Sequence, residues 1–399
     1  MPRSVRVLLL GLAAAAVAAL VATVVGAQSP VRVVKVVGDR HQLALRSDGS
    51  VVGWGTWWYG QLGPVSAIGT TTPWTDRPMV MDLPGKAVDV AAGDSTSYAL
   101  LDDGTLWAWG DGRQGELGTG ANPNLPLLSN STPSMEFRGA ERPVKVAIDK
   151  VRAIAAAGHT AVAILEDGTV SQWPRRRSPD SDPSFRPMAV PTLARVTQVS
   201  VGWGHVLALT ADGTVWAWGS NGYGALGIEP KEARPILDPV EVPAVSNVAS
   251  VAAAGDVSLV LKRDGTVWVW GSNGQGQFGN GQRTSHPSVG TTSVPQQVPG
   301  IANAVALSAG GRHVLVLLGD GTLRGWGNTD FGQIGAGMTA GFQLSPVIPK
   351  LAGVKAVFAV GSSSFAVKAD GSFWGWGTGD RGRWPFQAST KVPTPVTLP

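Results

Sequence analysis

Five histidines are the first place to look for chemistry in this 399-residue chain. Three of them, His41, His205 and His313, each stand three residues after a glycine, in the phrase Gly-x-x-His. Seven carboxylates recur as well: Asp48, Asp103, Asp167, Asp212, Asp264, Asp320 and Asp370 each precede a Gly. Imidazole and carboxylate together are what general acid–base catalysis or a metal site needs. Their recurrence argues for a different use. Equivalent positions of repeated units stand far apart in space, so the histidines predict one structural hydrogen bond per unit and the aspartates predict turns. No Gly-x-Ser-x-Gly, His-Glu-x-x-His or phosphate-cradling loop is present. The chain has no Cys, which removes disulfides, thiolate zinc sites and a cysteine nucleophile. No catalytic, cofactor-binding or metal-binding residue is expected.

Recognition chemistry is better represented. Eleven of the 16 Trp belong to recurring apolar strands, and Trp57, Trp58, Trp74, Trp203 and Trp384 do not. Trp57, Trp58, Tyr59, Trp203, Tyr223, Phe331 and Trp384, with Arg312, are the expected partner-binding residues; Arg40, Asp94, Arg113 and Asp330 fall among them in sequence. Aromatic rings interleaved with Arg and Asp suit a protein-binding surface. Nucleic acid is not an expected partner. The net charge is +4, and Arg3 and Arg6 account for two of the 32 basic residues, leaving +2 for the rest. The run Arg175-Arg176-Arg177 reads as a solvated loop.

These residues are positioned by a repeat. An apolar strand, a Gly, a second apolar strand, Asp-Gly and a strand ending in Trp recur seven times, the Trp followed by Gly in six units and by Pro174 in the third, with the aspartates about 54 residues apart on average. A Pro-led strand completes each unit, as in Pro239-Val240-Glu241-Val242. Seven units of four strands predict an all-β, seven-bladed β-propeller over residues 28–399. Asp-Gly between apolar runs predicts a type I′ hairpin. Thr214-Val215-Trp216-Ala217-Trp218 is apolar on both alternating faces, as a strand covered by a blade on each side must be. The first unit has no Pro-led strand before it and the last Pro-led strand has no unit after it, so the C-terminal strand, Pro395–Leu398, is expected to pair beside the first unit and close the ring. The Gly-x-x-His turns and the loops after Trp-Gly then share one face, and the Asp-Gly turns share the other. Thr119–Glu141 extends the second unit as a surface loop and carries the sequon Asn130-Ser131-Thr132.

Residues 1–27 are a separate problem. Arg3 and Arg6 precede an uncharged run from Val7 to Val25, followed by Gly26-Ala27. That is the pattern of a secretory signal peptide cleaved after Ala27. An uncleaved membrane anchor is the other reading, since 19 residues reach about 29 Å as a helix. Either way the propeller is expected outside the cytoplasm, secreted, periplasmic or at the cell surface, touching membrane only through residues 1–27.

The phrase in Gly202–Gly227, with His205, Asp212-Gly213, Trp218-Gly219, Asn221, Gly224, Leu226 and Gly227, resembles the repeat of the regulator of chromosome condensation family. Gly271–Gly279 and Gly327–Gly335 repeat its second half, and the resemblance covers residues 31–399. It implies the propeller fold. Eukaryotic members include a nucleotide-exchange factor for a nuclear GTPase that docks on nucleosomes. The export signal and the lack of a basic tail set that role aside. Exported members similar to the propeller-type β-lactamase inhibitory protein imply protein binding through one propeller face. The expected function is therefore an exported, monomeric, non-enzymatic module for an unidentified protein partner. The alternatives are a polymer-acting hydrolase or lyase using the central cleft, and a carbohydrate or cell-wall binding module using the exposed Trp.

Overall fold

The seven Asp-Gly pairs do close seven hairpins, but not as type I′ turns. The computed structural model describes residues 31–64, 74–120, 125–128, 138–175, 185–230, 234–284, 292–338, 341–378 and 389–399. In the first hairpin Gly49 N–H donates to Arg46 O at 3.0 Å, and Arg46 N–H donates to Ser50 O at 2.9 Å. Gly49 has φ +85°, whereas Asp48 stays outside the left-handed region. This is a three-residue loop, a type I turn followed by a left-handed glycine. The aspartate explains the difference. Its Oδ1 accepts from Ser50 N at 3.0 Å and Ser50 Oγ at 2.6 Å, which fixes Asp48 itself. Thr105, Thr169, Thr214, Thr266, Thr322 and Ser372 do the same in the other six units. These hydrogen bonds, led at Asp212 by one from Thr210 Oγ1, hold all seven carboxyls below the usual aspartate range.

Strands β1 (Val33–Gly38), β2 (His41–Arg46), β3 (Val51–Thr56) and β4 (Trp74–Val80) hydrogen-bond in chain order to make blade 1. The remaining strands repeat this order, giving seven antiparallel sheets of four among the described residues. The first strand of each blade lines a central channel and the fourth lies at the rim. Each fourth strand except that of blade 3 contains its proline, rather than starting on it, as with Pro78 in Trp74–Val80 and Pro239 in Ile236–Glu241. An outer edge tolerates the missing N–H anywhere along its length. Blade 3 keeps only Met188–Ala189 there. Every first strand also carries one unpaired bulge residue: Val34, Val88, Arg152, Thr197, Ala249, Val305 and Lys355.

The core is divided into seven slabs, each between two neighbouring blades. One fully buried Trp per blade anchors each slab: Trp54, Trp109, Trp173, Trp218, Trp270, Trp326 and Trp376. The slab between blades 7 and 1 closes the ring with Phe358, Phe365 and Phe373 against Val36, Val52 and Trp54. This corrects the expected closure. The last strand, Thr390–Pro395, pairs with Phe373–Gly377 of its own blade and not with blade 1. Blade 1 already has its fourth strand after the Trp-Gly loop, so no unit is left incomplete. The C-terminal segment still reaches the seam, where Val396 and Leu398 pack on the same slab. The expected leader, residues 1–27, lies outside the described residues. Among the described residues no helix is long and apolar enough to cross a membrane.

Trp-Gly requires its glycine at Gly219, where φ is +108° and a Cβ would lie 2.3 Å from Gly204 O. Gly222, four residues from Trp218, has no atom within 4 Å of such a Cβ. Gly219→Ala is expected to cost at least about 2 kcal/mol of unfolding free energy. Gly222→Ala should stay within about 0.5 kcal/mol of the parent. Urea unfolding of the two variants measures the contrast.

Candidate binding face

The face that carries the Gly-x-x-His turns is built on a relay between blades. His41, His205 and His313 are buried at the start of the second strand of blades 1, 4 and 6. Their Nε2 atoms lie 2.8, 2.9 and 2.8 Å from the hydroxyls of Ser97, Ser258 and Ser364 in the next blade. Each hydroxyl donates to a loop carbonyl of the histidine's own blade, that of Gln61, Ala225 or Gln333, at 2.7–2.8 Å. The hydroxyl must therefore accept from His Nε2–H, which fixes a neutral tautomer. The same three carbonyls accept the indole N–H of Trp109, Trp270 and Trp376 at 2.8 Å. The histidines are structural, as their recurrence implies.

The serines went unnoticed in the sequence, yet they leave a signal there. His stands in units 1, 4 and 6, and Ser stands at a matching position in units 2, 5 and 7. Blade 3 differs again. Buried Glu116 accepts from Gln114 N at 2.8 Å and pairs with His159 Nδ1 at 2.9 Å. The imidazole of His159 is half exposed, and its hydrogen bond to Glu116 lifts it above its ordinary value.

The expected partner-binding residues divide. Trp203 is 50% exposed, in the turn of blade 4. Arg312 is exposed in the turn of blade 6. Trp58, Tyr59, Tyr223 and Phe331 are half-buried in the loops after Trp-Gly of blades 1, 4 and 6. Arg113, chelated by buried Asp111 at 2.7 and 3.0 Å, lies 5.0 Å over the Tyr59 ring. Trp57 is not a surface residue: it is 3% exposed and packs in the slab between blades 1 and 2 with Leu43, Leu62 and Met81. The loop after Trp-Gly turns inward there, and its first ring is taken by the core. Trp384 lies outside the described residues.

Arg175 also departs from expectation. It is 9% exposed, and its guanidinium donates to Leu237 O and Asp238 Oδ1 of blade 4 at 3.0 Å, and to Ala189 O at 3.3 Å. It ties two blades together instead of facing solvent. Arg176, Arg177 and the sequon at Asn130 lie outside the described residues. No group of three or more His, Cys, Asp or Glu able to hold a metal occurs among the described residues.

A sequence model of the RCC1-like domain matches residues 130–399, and one of the regulator of chromosome condensation repeat matches residues 87–116. The chain belongs to the RCC1-like domain family. It is 28% identical over 324 residues to the ultraviolet-B receptor UVR8 of Arabidopsis thaliana, covering 78% of this chain and 68% of that one. It is 28% identical over 329 residues to the human E3 ubiquitin-protein ligase HERC2, covering 79% of this chain and only 6% of HERC2. Among solved structures, Prp20p of Saccharomyces cerevisiae superposes with a TM-score of 0.72 at 23% identity over 92% of this chain and 87% of that one. Human WBSCR16 gives 0.73 at 20% identity over 88% and 95%. These two likenesses concern the fold alone.

The relay makes stability depend on pH. Burial holds His41 and His205 down at about 4 and His313 at about 3, from an ordinary 6.5. Between pH 6.5 and about 4 the unfolded chain binds protons that the folded one refuses. The histidines' contribution is complete above pH 6.5 and is lost as pH falls through that window. His159 has the opposite sign: its contribution is complete below 6.5 and lost as pH rises through its raised value. His205→Gln should flatten the stability–pH slope below pH 6.5 by up to about 1.4 kcal/mol per pH unit. Urea unfolding across pH 4.5–7.5 measures the slope; an unchanged slope means that His205 protonates as readily folded as unfolded.

Proposed function

We propose that the chain is an exported, non-enzymatic module that binds a protein through the loop face carrying Trp58, Tyr59, Trp203, Tyr223, Phe331 and Arg312. One observation carries this reading. The recurring polar residues are used within the propeller: His to Ser, indole to carbonyl, Asp to Ser or Thr. The exposed or half-buried aromatics Trp58, Tyr59, Trp203, Tyr223 and Phe331 lie instead in the turns and loops of a single face, with charged groups between them, whereas Trp74 lies on a rim strand. Relatives support the class of partner. Prp20p is described with binding properties to Gsp1p and histones, and yeast RCC1 (Prp20) with Kap60 bound. Those partners are theirs; what carries over is the use of a propeller to hold a protein. Nucleotide exchange is not part of the proposal, since no exchange wedge is located and the leader sequence favours export. Export itself rests on residues 1–27, read as a signal peptide or an anchor.

Two measurements test the reading. Affinity capture from the extracellular fraction should retain one protein stoichiometrically. The pair Trp58→Ala with Trp203→Ala should lower retention at least tenfold, whereas Lys355→Glu on the opposite mouth leaves it unchanged. Equal retention by the double variant would overturn the choice of face, and glycan turnover with no protein retained would overturn the class. Mass spectrometry of the mature N-terminus should find Gln28 first if the leader is cleaved; an intact Met1 in the membrane fraction identifies an anchor.

A further inference from the structure

Blades 3, 5 and 7 share one device on the loop face. Each joins its first two strands by a two-residue turn, Gly158-His159, Gly255-Asp256 or Gly361-Ser362. The three glycines have nearly the same φ, +54°, +58° and +54°. The preceding blade supplies an opposing residue, marked by the carbonyl that accepts the buried indole N–H: Glu116, Ala225 or Gln333.

These equivalent places are filled differently. Between blades 2 and 3 the opposing residues are Glu116 and His159, an acid and a base 2.9 Å apart. Between blades 6 and 7 they are Gln333 and Ser362, both neutral. Gln333 is spent inside its own loop, donating to Asn328 Oδ1 at 2.7 Å and accepting from Phe331 N at 3.0 Å. Between blades 4 and 5 they are Ala225 and Asp256. The same turn starts the Asp256 side chain from the same place as that of His159, and only a methyl group stands opposite. One member of a charge pair is present and the other is missing.

Among the described residues no donor or cation meets the Asp256 carboxylate. It is half-buried, and desolvation pushes it above the usual aspartate range with nothing to offset the rise. A partly dehydrated carboxylate without a partner is a cost to the fold. Its neighbours on blade 4 bring no charge. They are the half-buried Tyr223 of the loop and Trp203 of the turn, whose ring would lie 3.8 Å from a Cβ on Gly255. A single carboxylate is also too few ligands for a resident metal ion.

We propose that this gap receives a basic side chain of the protein partner, lysine or arginine, which completes with Asp256 the kind of pair that Glu116 and His159 make within the chain. The inference rests on the loop face being the binding face and adds the charge that the partner must bring to it.

The test follows the Asp256 carboxyl in the whole chain, labelled with carbon-13 at the aspartate carboxyls. Its resonance is the one missing from Asp256→Asn. N-acetyl-Gly-Lys-Gly-amide and N-acetyl-Gly-Arg-Gly-amide should each shift it saturably, the tighter of the two naming the head group. Their acetyl-lysine and citrulline counterparts, close in shape and uncharged, should bind at least tenfold more weakly. Asp256→Asn should unfold at a urea concentration no lower than the parent's and should lower retention in the affinity capture at least fivefold. Ala225→Lys supplies the cation from within and should abolish the peptide-induced shift; if it misfolds, the peptide comparison decides. Equal binding of charged and uncharged peptides, shifts confined to other aspartates, or a less stable Asp256→Asn overturns the proposal. If the peptides leave Asp256 unmoved while the Trp58 and Trp203 pair still abolishes protein capture, this inference falls and the face assignment stands.

Discussion

One hydrogen bond organises the molecule: a buried indole N–H reaching back to the preceding blade. Five of these bonds end on a main-chain carbonyl in the loop after Trp-Gly, those of Trp109, Trp173, Trp270, Trp326 and Trp376. Trp218 reaches the Gln172 side chain instead, because blade 3 has a different loop. A buried N–H without an acceptor is costly, so each of these five rings can settle only where its neighbour's loop is already in place. The indole therefore links two things that sequence keeps about fifty residues apart: the packing of a slab and the shape of a surface loop. The loop face is built by the core.

Much of this was legible in the residues. Seven Asp-Gly pairs and seven strand-ending Trp, six of them followed by Gly, specify seven blades, because hairpin turns and two-sided apolar strands admit few other arrangements. Three details were not legible. The turn type depends on hydrogen bonds from Ser50 to the Asp48 carboxylate, which the dipeptide Asp-Gly does not reveal. The phase of the repeat, on which ring closure turned, is ambiguous when a periodic pattern can be cut at any point. The bulges at Val34, Val88 and their counterparts follow from strand twist and leave no residue signature.

The candidate face was harder to read, for a related reason. Trp57 and Trp58 are adjacent and chemically alike, yet one fills the slab between blades 1 and 2 and the other lies half exposed. Arg175 begins a basic run and is nevertheless buried between blades. Composition separates residues outside the repeat from repeat residues; it does not say which way a loop turns. Trp203 was legible because its neighbours are glycines, which leave a large ring nowhere to be enclosed.

Closure by packing and an Arg46 hydrogen bond to Pro399 O, rather than by an exchanged strand, has a kinetic meaning. The chain runs through six of the seven slabs as neighbouring units, so those interfaces join residues close in sequence. At the seventh, Val36 and Trp54 must find Phe358 and Phe365 about three hundred positions away, with no exchanged strand to guide them. The entropy of bringing such distant segments together makes that seam the slow, final event of assembly. Until it forms, the chain is an open arc with two unpartnered blade faces. Two such open faces would pair with those of another copy unless the seam closes first.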